Sequence, residues 1–237
     1  KQQEIDILAE ISLRPKKLDE YIGQKQMKEH LKVAIESAKI RKTPLEHILF
    51  YGPPGLGKTT ISTIIAHEMW APIKSTSGPA IEKQSDIISL LTSLTEGEIL
   101  FIDEIHRLRP QIEEILYSAM EDFQIDIIIG SGTGATSVKM DIPKFTLVGA
   151  TTKLSSLSHP LRDRFGNIMK LDFYDEKDLE KIIARSFVIM DFEKISTEAI
   201  ESIAKRSRGT PRIANRYVKI IRDYAIVGNP VETRADC

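Results

Sequence analysis

Hydrophobic positions follow two alternating patterns through the first two thirds of the chain. Short apolar runs, typical of buried strands, occur at residues 47–51, 99–102, 145–149 and 168–173. Apolar residues spaced three or four apart predict helices over residues 24–41, 59–69, 87–94 and 111–123. Strands that alternate with helices usually form a mostly parallel sheet with helices on both faces. The predicted fold class is therefore α/β.

Two regions depart from this alternation. Residues 125–129 and 138–142 are β-prone and flank Ser131-Gly132-Thr133-Gly134, which predicts a hairpin. From Asp175 onward the pattern is helical only, over residues 175–188, 196–206 and 211–227. We therefore predict a large domain over 1–173, with a projecting hairpin near 125–142, and a small all-helical domain over 174–237.

Composition narrows the function classes. The chain has 33 Lys and Arg against 34 Asp and Glu, so its net charge of -1 gives no global electrostatic case for nucleic-acid binding. Its one cysteine, Cys237, excludes an internal disulfide and a cysteine-based zinc site. No apolar run is long enough to span a bilayer. We expect a cytoplasmic protein with no membrane partner.

A glycine-rich loop lies between the strand at 47–51 and the helix at 59–69. Its residues are Gly52, Pro53, Pro54, Gly55, Leu56, Gly57, Lys58 and Thr59. Glycines let backbone N–H groups approach phosphate oxygens, which a Cβ would obstruct. Lys58 can bind the β- and γ-phosphates, and the Thr59 hydroxyl can ligate Mg²⁺. A chance match is disfavoured, because the strand and the helix stand where the motif requires them.

Two acids end the strand at 99–102. Asp103 is expected to hold Mg²⁺ through its water shell, and Glu104 to polarise the attacking water as a general base. Alone, the pair could equally be two solvated acids at a strand end. Together with the glycine loop, it predicts binding and hydrolysis of a nucleoside triphosphate.

Two threonines and two arginines each have two open interpretations, one functional and one structural. Thr151 and Thr152 follow the strand at 145–149 and could sense the γ-phosphate or simply cap a turn. Arg162 and Arg164 could stabilise a phosphoryl group bound to a neighbouring subunit, or form surface salt bridges. Arg212 begins a helix of the small domain and could reach back to the phosphates.

Five strings carry a family resemblance. They are Gly-Pro-Pro-Gly-Leu-Gly-Lys-Thr, Leu-Phe-Ile-Asp-Glu-Ile-His-Arg-Leu, Val-Gly-Ala-Thr-Thr, Pro-Leu-Arg-Asp-Arg-Phe-Gly and Gly-Thr-Pro-Arg-Ile-Ala-Asn-Arg. In this order they resemble the AAA+ ATPases, and more narrowly the RuvB family of bacterial Holliday-junction branch-migration motors. Residues 13–15, 21–24, 76–82 and 119–123 are similar to that family too, so the likeness covers nearly residues 4–228.

The resemblance implies an ATP site with Mg²⁺ at Thr59 and Asp103. It assigns Lys58 and Thr59 to Walker A, and Asp103 and Glu104 to Walker B. It makes Thr152 sensor 1, Arg164 a trans-acting arginine finger and Arg212 sensor 2. Other implied nucleotide-binding residues are Arg14, Tyr21, Ile22 and Thr60.

The resemblance also implies partners. A hexameric ring would form, and the hairpin would dock RuvA bound to a Holliday junction. The hairpin residues expected at that contact are Ile125, Ile127, Ile129, Val138 and Met140. The family pattern continues into a winged-helix module, whereas this sequence stops at Cys237. We therefore expect that module to be absent, and binding of duplex DNA to be weakened. Ala135-Thr136-Ser137 stands where the pattern implies a basic hairpin tip.

Other classes fit less well. Asp103-Glu104-Ile105-His106 resembles a DExH helicase box, but those helicases need a second RecA-like domain that this length cannot supply. A P-loop small-molecule kinase would not explain Arg164 or Arg212. A clamp-loader or protein-remodelling AAA+ ATPase shares the whole ATP site and stays the alternative.

Overall fold

The computed structural model describes residues 13–129, 136–192 and 195–228. The helices are α1 Lys25–Arg41, α2 Lys58–Met69, α3 Gln84–Thr92, α4 Pro110–Glu121, α5 His159–Asp163, α6 Glu176–Ile189, α7 Thr197–Arg206 and α8 Pro211–Gly228. The strands are β1 Ile48–Tyr51, β2 Ile73–Ser77, β3 Ile99–Asp103, β4 Gln124–Ile129, β5 Thr136–Asp141, β6 Thr146–Thr151 and β7 Asn167–Lys170. Among these described residues, no helix combines the length and apolar character needed to cross a bilayer.

Five strands form one parallel sheet in the order β2-β3-β6-β1-β7. Alternate side chains of its central strands enter two separate cores. Ile48 and Phe50 of β1 pack with α1, α2 and the C-terminal helices, whereas Leu49 packs with α3 and α4. Both faces of the sheet are therefore covered by helices, and the predicted fold class is confirmed.

Two elements were not predicted. The strand β2 reads Ile-Lys-Ser-Thr-Ser and lies at the sheet edge, where Ser75 is exposed and the other four residues are half-buried, so no apolar run marks it. The helix α5 has five residues, too few for a periodic pattern. Its N-cap is Ser158, whose Oγ accepts a hydrogen bond of 3.3 Å from the Leu161 N–H.

The two-stranded β4–β5 hairpin is antiparallel and separate from the main sheet. Met140 lies opposite Ile125, and Val138 lies opposite Ile127. The base of the hairpin packs on the α3–α4 core, and the Ile142 N–H donates to the Phe123 carbonyl over 2.8 Å. The predicted turn at 131–134 and Ala135 lie outside the described residues, as do the side chains of Thr136 and Ser137.

The helices α6, α7 and α8 pack on one another through apolar faces. Helix α6 begins where Asp175 Oδ1 accepts a 2.7 Å hydrogen bond from the Asp178 N–H, and Pro211 is the first residue of α8. Leu179, Ile183 and Phe187 of α6 are buried in the same core as the α1–α2 face of the sheet. Helices α6 to α8, called the helical unit below, therefore share a core with Leu56 of the loop that follows β1.

Candidate nucleotide site at the carboxyl ends of β1 and β3

The glycine loop joins the carboxyl end of β1 to the first residue of α2. Gly55 and Gly57 have φ angles of +81° and +98°, which L side chains rarely adopt. A Cβ on Gly55 would lie 2.8 Å from Thr210 Cγ2, and one on Gly57 would lie 2.8 Å from the Tyr21 hydroxyl oxygen. The loop therefore lies closely between Thr210 and Tyr21, and it has no room for a side chain at either glycine.

Gly52 provides a test of this packing. Its φ is +148°, and an added Cβ would approach the Leu171 carbonyl oxygen to 2.3 Å, a contact that only backbone movement can relieve. We expect Gly52→Ala to lower the free energy of unfolding by roughly 3 kcal/mol or more. Gly97→Ala is the matched control, because φ is +76° there but nothing lies within 4 Å; its expected cost is about 1 kcal/mol. Denaturant unfolding measures both, and equal losses would contradict the predicted clash.

Lys58 is the first residue of α2 and lies inside the loop. Its Nζ donates hydrogen bonds of 2.8 Å to the carbonyls of Gly52 and Pro53. Burial lowers the pKa of the Lys58 ammonium, whereas the carboxylates of Asp103 and Glu104 act to raise it. A cation is thus held at the loop, facing the two acids from the end of β3.

Asp103 and Glu104 differ in their surroundings. Asp103 Oδ1 accepts a 2.9 Å hydrogen bond from the Glu104 N–H. The Glu104 backbone is left-handed, with φ of 49°, which is unusual for a side-chain-bearing residue and typical of functional sites. Thr152 Oγ1 donates to Glu104 Oε2 over 3.3 Å. The predicted sensor residue therefore contacts the predicted base directly.

One cleft of 180 Å³ brings most of the predicted site residues together. Its lining is Arg14, Pro54, Gly55, Gly57, Lys58, Thr59, Thr60, Asp103, Glu104, Pro211, Arg212 and Asn215. The glycine loop and the acids come from the sheet, whereas the last three residues belong to α8. The Arg212 N–H also donates to the Gly55 carbonyl over 3.4 Å. The cleft therefore lies between the sheet and the helical unit.

Other residues predicted to bind the nucleotide do not line the cleft, and one of them, Tyr21, forms a hydrogen bond with the glycine loop. Tyr21 is buried, and its hydroxyl donates to the Leu56 carbonyl over 3.2 Å. Leu56 is fully buried, and Ile22 is half-buried without lining the cleft. The Tyr174 hydroxyl donates to the Tyr21 hydroxyl over 3.0 Å. Burial raises the pKa of Tyr174 to about 12, so this donor stays protonated at neutral pH.

Arg164 lies away from this cleft, directly after α5. Its guanidinium donates to the Glu121 carboxylate over 2.9 Å, to the Pro160 carbonyl over 2.8 Å and to the Tyr117 carbonyl over 3.3 Å. It also stacks 4.7 Å from the centre of the Tyr117 ring. Arg164 is therefore held by contacts within its own chain and does not line the cleft.

The hairpin residues predicted to contact a partner differ in how deeply they are buried. Ile125 is 0% exposed and belongs to the α3–α4 core, so its side chain cannot contact a partner, and we remove it from the predicted surface. Ile127 and Met140 are partly buried against the same core. Val138 is 44% exposed, and the side chain of Ile129 lies outside the described residues. The apolar face therefore continues from the core onto the surface.

The side-chain oxygens at this site suit a cation that nucleotide phosphates also bind better than a cation held by protein ligands alone. Within the described residues, no group of three or more His, Cys, Asp or Glu side chains could hold a metal ion. Mg²⁺ at nucleotide sites is usually held by one or two protein oxygens, with phosphate oxygens and water completing its shell. Thr59 and Asp103 line the same cleft and supply an oxygen each.

Sequence reasoning missed three polar residues at this site. Asn215 lines the cleft one helical turn after Arg212, a spacing that could have identified it. Tyr174 follows the last strand of the sheet, directly after Phe173, and belongs to no motif. His106 lies two residues after Glu104, with its Nε2 at 3.4 Å from Glu104 Oε2, and the motifs that contain it predict no role for its side chain.

Comparison with known proteins gives a consistent result. A family model described as the Holliday junction DNA helicase RuvB P-loop domain matches residues 13–171. A second model, described as the RuvB AAA lid domain, matches residues 174–236.

Individual relatives agree with the family models. The RuvB subunit of the Holliday junction branch migration complex from Clostridium kluyveri is 56% identical over 222 residues, which are 94% of this chain and 63% of that protein. The Sulfurimonas denitrificans subunit is 57% identical over 220 residues, covering 93% of this chain and 65% of the relative. This chain therefore spans less than two thirds of these curated relatives.

A solved structure extends the likeness to three dimensions. The Thermotoga maritima RuvB Holliday junction branch migration motor superposes with a TM-score of 0.82 at 53% identity, over 92% of this chain and 68% of that one. These matches, together with the geometry of the cleft, show that the chain belongs to the RuvB family.

Proposed function

We propose that this chain is an ATP-hydrolysing motor subunit that drives branch migration of Holliday junctions. The observation that supports it most is the single cleft where Lys58, the acids Asp103 and Glu104, and Arg212 meet. Residues 1–173 would form the ATPase domain and residues 174–237 its lid. A cytoplasmic location belongs to the same proposal, since the DNA substrate is found there.

The proposed chemistry assigns one task to each group. Backbone N–H groups of the glycine loop and the Lys58 ammonium bind the phosphates of ATP. Mg²⁺, held by Thr59 and Asp103, would neutralise charge on the phosphate oxygens. Glu104 accepts the proton of the attacking water, and Arg212 connects the phosphates to the helical unit.

The proposal requires an assembly. Arg164 would act on ATP bound to the neighbouring subunit of a hexameric ring, because it lies away from its own cleft. The ring would encircle duplex DNA, and the hairpin would dock RuvA bound to the junction. Wild-type chain should therefore hydrolyse ATP, and a complex of RuvA with a synthetic four-way junction should increase the rate. No turnover of ATP under any of these conditions would refute the proposed function.

The exposed part of the hairpin provides a test of RuvA docking. Val138→Asp places a charge on an apolar surface that a partner would bury, so we expect at least about a tenfold loss of RuvA affinity. ATP affinity should not change, because Val138 lies on the separate hairpin sheet. Titration of labelled RuvA and of a fluorescent ATP analogue measures the two affinities.

Two neighbouring positions are the controls. Lys139→Ala changes an exposed residue paired with Asp126 on the other face of the hairpin, and should keep RuvA binding. Ile125→Asp buries a charge in the core and should lower the melting temperature together with both affinities. Unchanged RuvA binding by Val138→Asp would show that the hairpin face is not the docking surface.

A further inference from the structure

His106 connects the predicted base to the sheet. It lies in a short 3₁₀ turn, Ile105–Arg107, directly after β3, and its side chain is only 9% exposed. Its Nδ1 is 2.9 Å from Thr151 Oγ1 at the end of β6. Its Nε2 is 3.4 Å from Glu104 Oε2. One ring therefore contacts both a fully buried hydroxyl and the carboxylate at the cleft.

The hydrogen bonds around Thr151 determine which ring nitrogen carries the proton. Thr151 Oγ1 accepts a 2.9 Å hydrogen bond from the Lys153 N–H. Among the described residues, the only recorded acceptor for the Thr151 hydroxyl proton is His106 Nδ1. A buried hydroxyl without an acceptor is costly, so Thr151 donates to Nδ1. The imidazole proton is then on Nε2, the ring nitrogen that lies 3.4 Å from Glu104 Oε2.

Two polar side-chain atoms therefore lie close to the same carboxylate oxygen, and one of them, Thr152 Oγ1, forms a hydrogen bond with it. Thr152 Oγ1 donates to Glu104 Oε2 over 3.3 Å, and His106 Nε2 lies 3.4 Å from that atom. Both distances are long, as is common for catalytic contacts before substrate binds. In the described part of the chain, no hydrogen bond to Glu104 Oε1 is recorded. This oxygen is left available to accept a proton from water.

We propose that His106 is a positioning residue for ATP hydrolysis, which holds Glu104 through Nε2 while Thr151 fixes the tautomer through Nδ1. The inference rests on the proposed ATPase activity. Glu104 has a left-handed backbone and lies between the end of β3 and the 3₁₀ turn, so it belongs to neither element. The imidazole and the Thr152 hydroxyl support its side chain and direct the second carboxylate oxygen towards the cleft.

Two amide substitutions separate this role from a purely structural one. The Gln amide nitrogen can occupy the position of Nε2, so His106→Gln keeps a donor for Glu104. The shorter Asn can occupy the position of Nδ1, so His106→Asn keeps only the contact with Thr151. We expect His106→Gln to retain kcat within about threefold and His106→Asn to lose about 10- to 100-fold, as is typical for a lost hydrogen bond to a charged group. The Kd for ATP should be unchanged in both.

A second experiment tests whether the effect passes through Glu104. In a Glu104→Gln background, which lacks the base, adding His106→Ala should not reduce the residual single-turnover rate further. In the wild-type background the same His106→Ala change should cost about 10- to 100-fold. All variants are prepared as the full chain, and circular dichroism establishes that they are folded.

The outcomes are distinguishable. The positioning role would be overturned if His106→Gln hydrolysed ATP slowly while His106→Asn stayed active. It would also be overturned if both variants hydrolysed ATP at the wild-type rate. If both are slow, the Glu104→Gln background decides, since a further loss from His106→Ala there would also overturn it. Failure of the wild-type chain to hydrolyse ATP would refute the proposed function itself, and the inference with it.

Discussion

Glu104→Gln is expected to lower ATP turnover by about 10²–10⁴-fold while ATP affinity stays the same. Glutamine has the same size and can still accept the hydrogen bond from Thr152 Oγ1, but it cannot take a proton from water. Asp103 and Lys58 keep their positions in the cleft, so the triphosphate should bind as before. Single-turnover hydrolysis of labelled ATP gives the rate, and titration with a fluorescent analogue gives the affinity.

Glu114→Gln is a matched control for this prediction. It makes the same chemical change on an exposed position of α4, away from the cleft residues, and should leave turnover unchanged. Turnover at the wild-type rate in Glu104→Gln would remove Glu104 from the role of general base.

Arg164→Ala is expected to reduce hydrolysis by about 10³–10⁵-fold, the usual contribution of an arginine finger, while each chain still binds ATP. The reason is positional, because Arg164 lies outside its own cleft and contacts Glu121, Pro160 and Tyr117. In the single chain, the guanidinium also forms an ion pair with the Glu121 carboxylate over 2.9 Å. Glu121→Gln weakens that ion pair but keeps the arginine, so this control should retain activity.

Mixed rings test whether Arg164 acts between subunits. Arg164→Ala chains have an intact cleft, and Lys58→Ala chains have an intact finger. Mixing the two inactive proteins should restore part of the activity wherever an intact cleft meets an intact finger. Native mass spectrometry shows whether the rings are mixed. Mixed rings without restored hydrolysis would mean that Arg164 acts within its own subunit or only in packing.

The elements that sequence could predict are those with strong periodic patterns. β1, β3 and β6 are buried on both faces and read as continuous apolar runs. Helices α6 and α7 have the capping residues Asp175 and Ser196, α8 begins with Pro211, and all three have amphipathic spacing. By contrast, β2 is specified by its pairing with β3, a long-range contact that its own five residues do not encode.

The candidate site likewise contains residues that motifs predict and contacts that only the folded chain creates. The glycine loop and the acids of β3 could be predicted, because phosphate and metal chemistry demand those residue types at fixed places. The separation of Ile125 from Val138 could not, since both lie on one apolar face and only the packing of the hairpin base buries one of them. The contact of His106 with Glu104 depends on a local 3₁₀ turn that no motif predicts.

The contact between Gly55 and the start of α8 has a mechanical consequence. The Arg212 N–H donates to the Gly55 carbonyl over 3.4 Å, so the phosphate-binding loop touches the first turn of a helix of 18 residues. A helix of that length is about 27 Å long. Turning it by about 10° around its first turn would displace its far end by about 5 Å. Helix α8 therefore has the dimensions of a lever, which would convert a small rotation at the loop into a displacement nearly as large as one helical turn.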